Sequence, residues 1–150
     1  MDYCIREVDG SDPDVAEAIE RLHIAVFPGE IPVATDRGYW WLAWNGDPEG
    51  RPIAFAGLWS SVRFAQAGYL CRAGVLPTHR GHGLQRRLIR VRERKARSLG
   101  WRWLMTDTVP YNPASSNSLI HCGYRMYVPA KPWCIGDDAI YWRRELENRP

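Results

Sequence analysis

The sequence lacks closely spaced cysteines, long apolar runs and internal repeats. Its four cysteines are far apart and show none of the C-x-x-C spacing typical of zinc sites and dense disulfide frameworks: Cys4, Cys71, Cys122 and Cys134. This spacing predicts no metal site and favours a reducing compartment. The N-terminal residues are charged early and lack the apolar core of a secretion signal, and no stretch approaches the roughly 18 apolar residues of a membrane span. We therefore expect a cytoplasmic protein that does not contact a membrane.

The composition indicates one folded domain over residues 1–150. With 150 residues, 45% hydrophobic and 25% charged, the chain is long enough for one real core and short for two. Eight tryptophans and seven tyrosines predict either a core of large side chains or an aromatic-lined cleft. The net charge of +3 permits polyanion binding without requiring it.

Apolar patterning predicts an α+β layout with a helix-covered sheet. Turn residues bound short apolar or alternating runs that predict strands at 3–8, 39–44, 53–60, 69–75, 101–106 and 140–146. Helical spacing of apolar residues predicts a helix from Pro13, after a polar cap, and another from Leu84 that Gly100 closes. A short helix is expected at 113–122, ended by Gly123.

Residues 75–99 form the segment with the clearest chemistry: the end of a strand, a basic loop with glycines, and a long helix. A helix start carries unpaired backbone N–H groups and the positive end of the helix dipole. Gly81 and Gly83 remove the Cβ atoms that would hold a phosphate away. The segment therefore predicts a site for an anion such as a diphosphate.

Two familiar phosphate loops do not fit these residues. The Walker loop requires Gly-Lys-Ser/Thr, but Gly83 is followed by Leu84 and Gln85. The dinucleotide fingerprint requires a third glycine where Arg86 stands.

The segment instead resembles the acyl-CoA-binding motif of the GNAT superfamily of N-acetyltransferases, Gln/Arg-x-x-Gly-x-Gly/Ala at a strand-to-helix turn. Here the six positions run from Thr78 to Gly83, and only Thr78 departs from the pattern. A second match lies downstream, where Asn112 is followed eleven residues later by Gly123 and Tyr124. The resemblance spans residues 53–127 and implies a mixed central sheet with helices on both faces.

The resemblance implies that acetyl-CoA is the cosubstrate. Backbone donors at Gly81, Gly83 and Leu84, with Arg80, are then expected to hold the pyrophosphate, and the strand edge at Gly74 and Val75 to pair with the pantetheine arm. The neighbouring strand is expected to splay away there. The remaining cofactor contacts that the resemblance implies are His82, Gln85, Asn112 and Ser115.

The implied reaction is transfer of an acetyl group to the primary amine of a small molecule or peptide by direct attack, which requires a base and an acid. The carboxylates available as base are Glu30, in the 27–32 loop that the resemblance places over the acceptor, and Asp107, just after a central strand. Leu119 and Ile120 occupy the positions at which the family usually has its acid tyrosine. Tyr124 and Tyr111 are the nearby tyrosines, and Tyr124 is taken as the candidate acid.

Two other functions stay open at this stage. The basic run of residues 86–97, expected to be a solvated helix face, is compatible with a nucleic-acid-binding module, although no base-reading motif accompanies it. A member that binds acyl-CoA without catalysis would explain the missing tyrosine. The sequence does not choose the acceptor or decide whether the chain forms a homodimer.

Overall fold

The computed structural model describes residues 2–136 and 138–147. Its first half contains strand β1 (Tyr3–Val8), helix α1 (Pro13–Val26) and strands β2 (Tyr39–Asn45), β3 (Ala54–Ser60) and β4 (Ala67–Val75). A 3-10 turn at Pro77–His79 leads into helix α2 (Leu84–Ser98). The rest is strand β5 (Trp103–Thr108), helix α3 (Pro113–His121) and strands β6 (Arg125–Tyr127) and β7 (Ile140–Glu145).

The strands form one mixed sheet in the order β1-β2-β3-β4-β5-β7-β6. Strand β4 pairs with β5 in parallel, whereas β1 with β2, β2 with β3, and β7 with both β5 and β6 are antiparallel. The ladder between β4 and β5 runs only from the pair Ala67–Trp103 to the pair Tyr69–Met105. It therefore ends well before Gly74 and Val75. The predicted α+β fold with a mixed central sheet is confirmed.

The chain divides into two compact units, the first containing the described residues up to Trp59 together with Cys71–Leu88. Helix α1 begins where the sequence predicts, because the Asp12 carboxylate accepts hydrogen bonds from the backbone N–H groups of Asp14 and Val15 and Pro13 occupies the first turn. The apolar face of α1 packs against the strands through Ile19, Leu22 and the fully buried Trp40. Many of the aromatic residues are thus core residues.

The second unit contains Ser60–Leu70 and the described residues from Ile89 onward. The sequence predicts that the basic run on α2 is a solvated helix face. The structure differs within this unit, because Arg92 and Glu93 are buried. Glu93 is ion-paired with Arg90, Arg97 and Arg144, the last on β7. The run therefore contributes to an internal charge cluster.

Element ends differ from the predicted ones by a few residues. Strand β5 begins at Trp103, two residues late, and the backbone N–H groups of Arg102 and Trp103 both donate to the carbonyl of Gln66. The short strand β6 escapes prediction because its three residues are mostly exposed and show no apolar alternation. Each helix in the described part of the chain is too short or too polar to span a lipid bilayer.

Candidate active site

The loop between β4 and α2 has the open backbone that the sequence predicts. Gly81 and Gly83 take φ angles of +82° and +78°, a conformation that favours glycine, and a Cβ at either position would meet nothing within 4 Å. The backbone N–H groups of Gly81, Gly83 and Leu84 have no acceptor among the described residues. These donors lie at the start of α2, so the loop suits an anion.

Side chains of the first unit fix this loop. The Tyr3 hydroxyl hydrogen-bonds to His79 Nδ1 at 3.0 Å, and Arg87 Nη2 donates to the Tyr3 carbonyl at 3.1 Å. The His82 ring lies 6.0 Å from the Tyr3 ring between centroids. Arg80 donates through Nε to the Val75 carbonyl at 3.0 Å, which leaves its Nη groups without a partner among the described residues. Of the helix-start candidates, Leu84 is buried and Gln85 half-buried.

Gly74 has a packing role that sequence reasoning missed. A Cβ at this position would lie 2.8 Å from Val26 Cγ1 and 2.9 Å from Phe55 Cε1. Gly74 and its neighbour Val75 are both buried in the first unit. The close approach of α1 therefore requires glycine at the strand end assigned to the pantetheine arm.

Glu30 is not a solitary loop charge. It forms an ion pair with Arg72 on β4, and the Arg72 guanidinium carbon lies 4.8 Å from the centroid of the Phe27 ring. The His23 ring lies 5.2 Å from the Phe27 ring between centroids. His23 is fully buried, and neither ring nitrogen has a hydrogen-bond partner among the described residues. Burial lowers the pKa of His23, and the Arg72 charge lowers it further against the opposing effect of Glu30.

Asp107 lies inside β5 rather than after it, since the strand continues to Thr108. It is half-buried and is paired in register with Tyr141 of β7. The Tyr69 hydroxyl donates to Asp107 Oδ2 at 2.5 Å, and Trp133 Nε1 donates to the same oxygen at 2.9 Å. The second unit thus presents one carboxylate held by two neutral donors.

Aromatic rings surround this carboxylate. The Trp133 ring lies 4.6 Å from the Tyr141 ring and 6.2 Å from the Tyr69 ring between centroids, both edge-on. The Tyr141 hydroxyl accepts a hydrogen bond from the Cys134 backbone N–H at 3.1 Å. Burial raises the pKa of the Cys134 thiol, and the charge of Asp107 and a hydrogen bond to it raise it further. Sequence reasoning missed Tyr69 and Trp133, because no local pattern links them to residue 107.

Asn112 caps α3. Its Oδ1 accepts a hydrogen bond from the Ser115 backbone N–H at 3.3 Å, and the side chain is exposed. Ser115 is half-buried in the first turn of the same helix. The structure therefore brings these two predicted cofactor contacts together at one helix start.

The two tyrosines considered as acid occupy opposite environments. Tyr124 is only 3% exposed, and its buried hydroxyl has no hydrogen-bond partner among the described residues. Burial raises the pKa of Tyr124, with the Glu93 charge adding to the effect, so this phenol is a weak proton donor. Tyr111 is 83% exposed.

Among residues 2–136 and 138–147, no cluster of three metal-ligating side chains occurs.

Comparison with known proteins identifies the family and the fold of the chain. A family model described as the acetyltransferase (GNAT) family matches residues 9–124. A Bacillus subtilis acetyltransferase solved with CoA is 16% identical with a TM-score of 0.75, and covers 97% of this chain and 100% of its own. A Salmonella typhimurium protein solved with its cofactor acetyl-CoA is 18% identical with a TM-score of 0.71, and covers 100% and 97%.

The ribosomal-protein-S18-alanine N-acetyltransferase from Escherichia coli is 15% identical with a TM-score of 0.74, and covers 97% of this chain and 94% of its own. No curated protein sequence matches significantly. The mixed seven-stranded sheet is that of the acyl-CoA N-acyltransferases. The chain belongs to the GNAT acetyltransferase family, enzymes whose cosubstrate is acetyl-CoA.

Proposed function

We propose that this protein transfers the acetyl group of acetyl-CoA to the primary amine of a small molecule or peptide by direct attack. The observation that carries the proposal is the loop at Gly81–Leu84, whose backbone donors have no acceptor among the described residues and whose surface is open. Such a loop matches the charge and size of a pyrophosphate. The Escherichia coli relative, named for an alanine of a ribosomal protein, supports including peptide amines.

The cofactor contacts follow from the same elements. The pyrophosphate accepts hydrogen bonds from the loop N–H groups and from the outer N–H groups of Arg80. His82 and Gln85 flank it. The Gly74–Val75 strand end pairs with the pantetheine arm, because the ladder between β4 and β5 stops at Tyr69–Met105. At the start of α3, Asn112 and Ser115 contact the same arm through the Asn112 amide and the Ser115 hydroxyl.

Asp107 is the better base of the two carboxylates, because Glu30 is already neutralised by Arg72. Asp107 takes one proton from the protonated amine directly or through water, the nitrogen then attacks the thioester carbonyl carbon, and the C–S bond breaks to release the CoA thiolate. That thiolate then takes up a proton. Burial of Tyr124 argues against it as the donor, so solvent or the exposed Tyr111 supplies the proton.

The nucleic-acid alternative is weakened by the charge cluster in the second unit. Arg92 is buried, and Arg90 and Arg97 are paired with Glu93. Fewer positive charges are therefore available for phosphates than the sequence suggests.

We also propose a cytoplasmic location. A homodimer stays a prediction, which sedimentation of the purified protein measures.

Two measurements test the proposed function. Calorimetry with CoA and, separately, with duplex DNA is expected to show CoA binding alone. Thiol release from acetyl-CoA is then followed against a panel of amino acids, polyamines and N-terminal peptides, with product mass confirming N-acetylation. CoA binding without thiol release for any amine would indicate a non-catalytic sensor, and tighter binding to DNA than to CoA would indicate the nucleic-acid module.

A further inference from the structure

We propose that Tyr69 and Trp133 are positioning residues that act on the reaction through Asp107, by fixing one carboxylate oxygen so that the other faces the acceptor ammonium. The inference rests on the proposed function, in which Asp107 is the base. It assigns roles to two residues that lie outside both sequence motifs.

The first step is the shared oxygen. Tyr69 and Trp133 both donate to Asp107 Oδ2, at 2.5 and 2.9 Å. A carboxylate has acceptor capacity on both oxygens, so two strong donors on Oδ2 leave Oδ1 as the atom available to an amine.

The second step is rigidity. Tyr69 lies in the last pair of the ladder between β4 and β5, opposite Met105. Asp107 is held in the ladder between β5 and β7. The Trp133 ring packs edge-on against the rings of Tyr69 and Tyr141. Because strand pairing and ring packing fix all three groups, the carboxylate is confined to one orientation, as efficient proton transfer requires.

The third step is charge. Both donors to the Asp107 carboxylate are neutral side chains, so they hold it without cancelling its charge. The carboxylate attracts a protonated primary amine and takes one proton from it before the nitrogen attacks. The proton that the nitrogen loses after the attack passes, by way of solvent or Tyr111, to the departing CoA thiolate as the C–S bond breaks. Tyr69 and Trp133 exchange no proton in this step. Their removal frees the carboxylate to rotate away from the productive orientation, which lowers kcat without weakening the binding of acetyl-CoA.

The test uses Tyr69→Phe, Trp133→Phe and Asp107→Asn, singly and in pairs, in the full chain. Tyr69→Phe and Trp133→Phe are each expected to lower kcat at least about tenfold, with little change in KM for acetyl-CoA. Asp107→Asn lowers kcat about 100-fold or more. In the Asp107→Asn background, neither aromatic substitution has a further effect, because both act through the carboxylate.

Trp142→Phe is the matched control. Trp142 also donates an indole N–H bond within the second unit, to Thr108 Oγ1 at 2.8 Å, next to Asp107 in the chain. Its loss is expected to leave kcat unchanged, because this bond does not reach Asp107. Melting temperatures of all variants confirm folding, and Tyr69→Phe, which removes a single oxygen atom, carries the test if Trp133→Phe does not fold.

The possible failures are distinct. A wild-type kcat in Tyr69→Phe, or losses that multiply in the Asp107→Asn background, would overturn the positioning role. Full activity of Asp107→Asn would overturn the assignment of the base and with it this inference, while CoA binding and acetyl transfer would still stand.

Discussion

Gly83 shows how a single residue sets what the loop after β4 binds. Its left-handed backbone conformation and the empty space around its Cα place the adjacent N–H groups at an open surface. A side chain here would project into the volume assigned to the pyrophosphate. The residue therefore offers a direct test of cofactor binding.

Gly83→Asp is expected to weaken CoA binding at least about tenfold, because a carboxylate then stands against the pyrophosphate at a helix start. Calorimetry measures the change. Gly46→Asp is the matched control, since Gly46 has a φ of +85° and equally open surroundings in the turn after β2. Equal losses of affinity in the two folded variants would show that backbone strain, not the site, is responsible.

His23 makes the folding stability of the protein depend on pH. Because burial lowers its pKa below the ordinary value of 6.5, folding favours the neutral ring. The burial of neutral His23 contributes fully to the free energy of unfolding above pH 6.5. This contribution is lost as the pH falls from 6.5 towards the pKa of the folded state. His23→Phe is expected to reduce the fall in melting temperature between about pH 7 and pH 5. The exposed His121→Phe serves as control. An identical pH slope in wild type and His23→Phe would contradict this account.

Single residues also show how far sequence reasoning reaches. Local patterns correctly placed a polar cap before Pro13 and a turn at Gly81 and Gly83, because these positions depend on backbone conformation within a few residues. No local pattern indicates that His23 is buried with no hydrogen-bond partner among the described residues, because that depends on the rings of Phe27 and Phe55 around it.

At the scale of elements, α2 and β7 are joined by a buried carboxylate. Glu93 is inaccessible to solvent and is paired with arginines on its own helix and with Arg144 on β7. Periodicity in the sequence identifies the helix but assigns the charges to solvent. Burial of Glu93 makes the cluster a structural contact between two elements of the second unit.

Glu93→Ala is expected to lower the free energy of unfolding by about 3 to 5 kcal/mol, because it leaves several guanidinium groups without their buried partner. Chemical denaturation measures the loss. Glu145→Ala removes the exposed pair with Arg102 and is expected to cost about 0 to 1 kcal/mol. A loss of equal size at both positions would show that burial does not govern the contribution.

At the scale of the whole molecule, we propose that residues 1–150 form a single GNAT domain. Strand β4 and helix α2 each continue from one compact unit into the other, so neither unit is an uninterrupted piece of chain. A division of this kind favours cooperative unfolding.

Thermal unfolding is therefore expected to be one transition that CoA moves to higher temperature. At a CoA concentration of 100 times its Kd, the stabilisation is about 2.7 kcal/mol. Calorimetry at several CoA concentrations measures it. Two transitions, of which CoA shifts only one, would contradict the single-domain proposal.

The sequence by itself determined the secondary structure to within a few residues at most element ends, the glycine loop before α2 and the family resemblance that the family model confirms. These features follow from residue spacing along a short stretch of chain. Only the tertiary structure decided that Glu30 is paired with Arg72, and that Asp107 is held by Tyr69 and Trp133. Those contacts join residues far apart in the chain, and strand register and the packing of bulky rings bring them together, which local spacing does not specify.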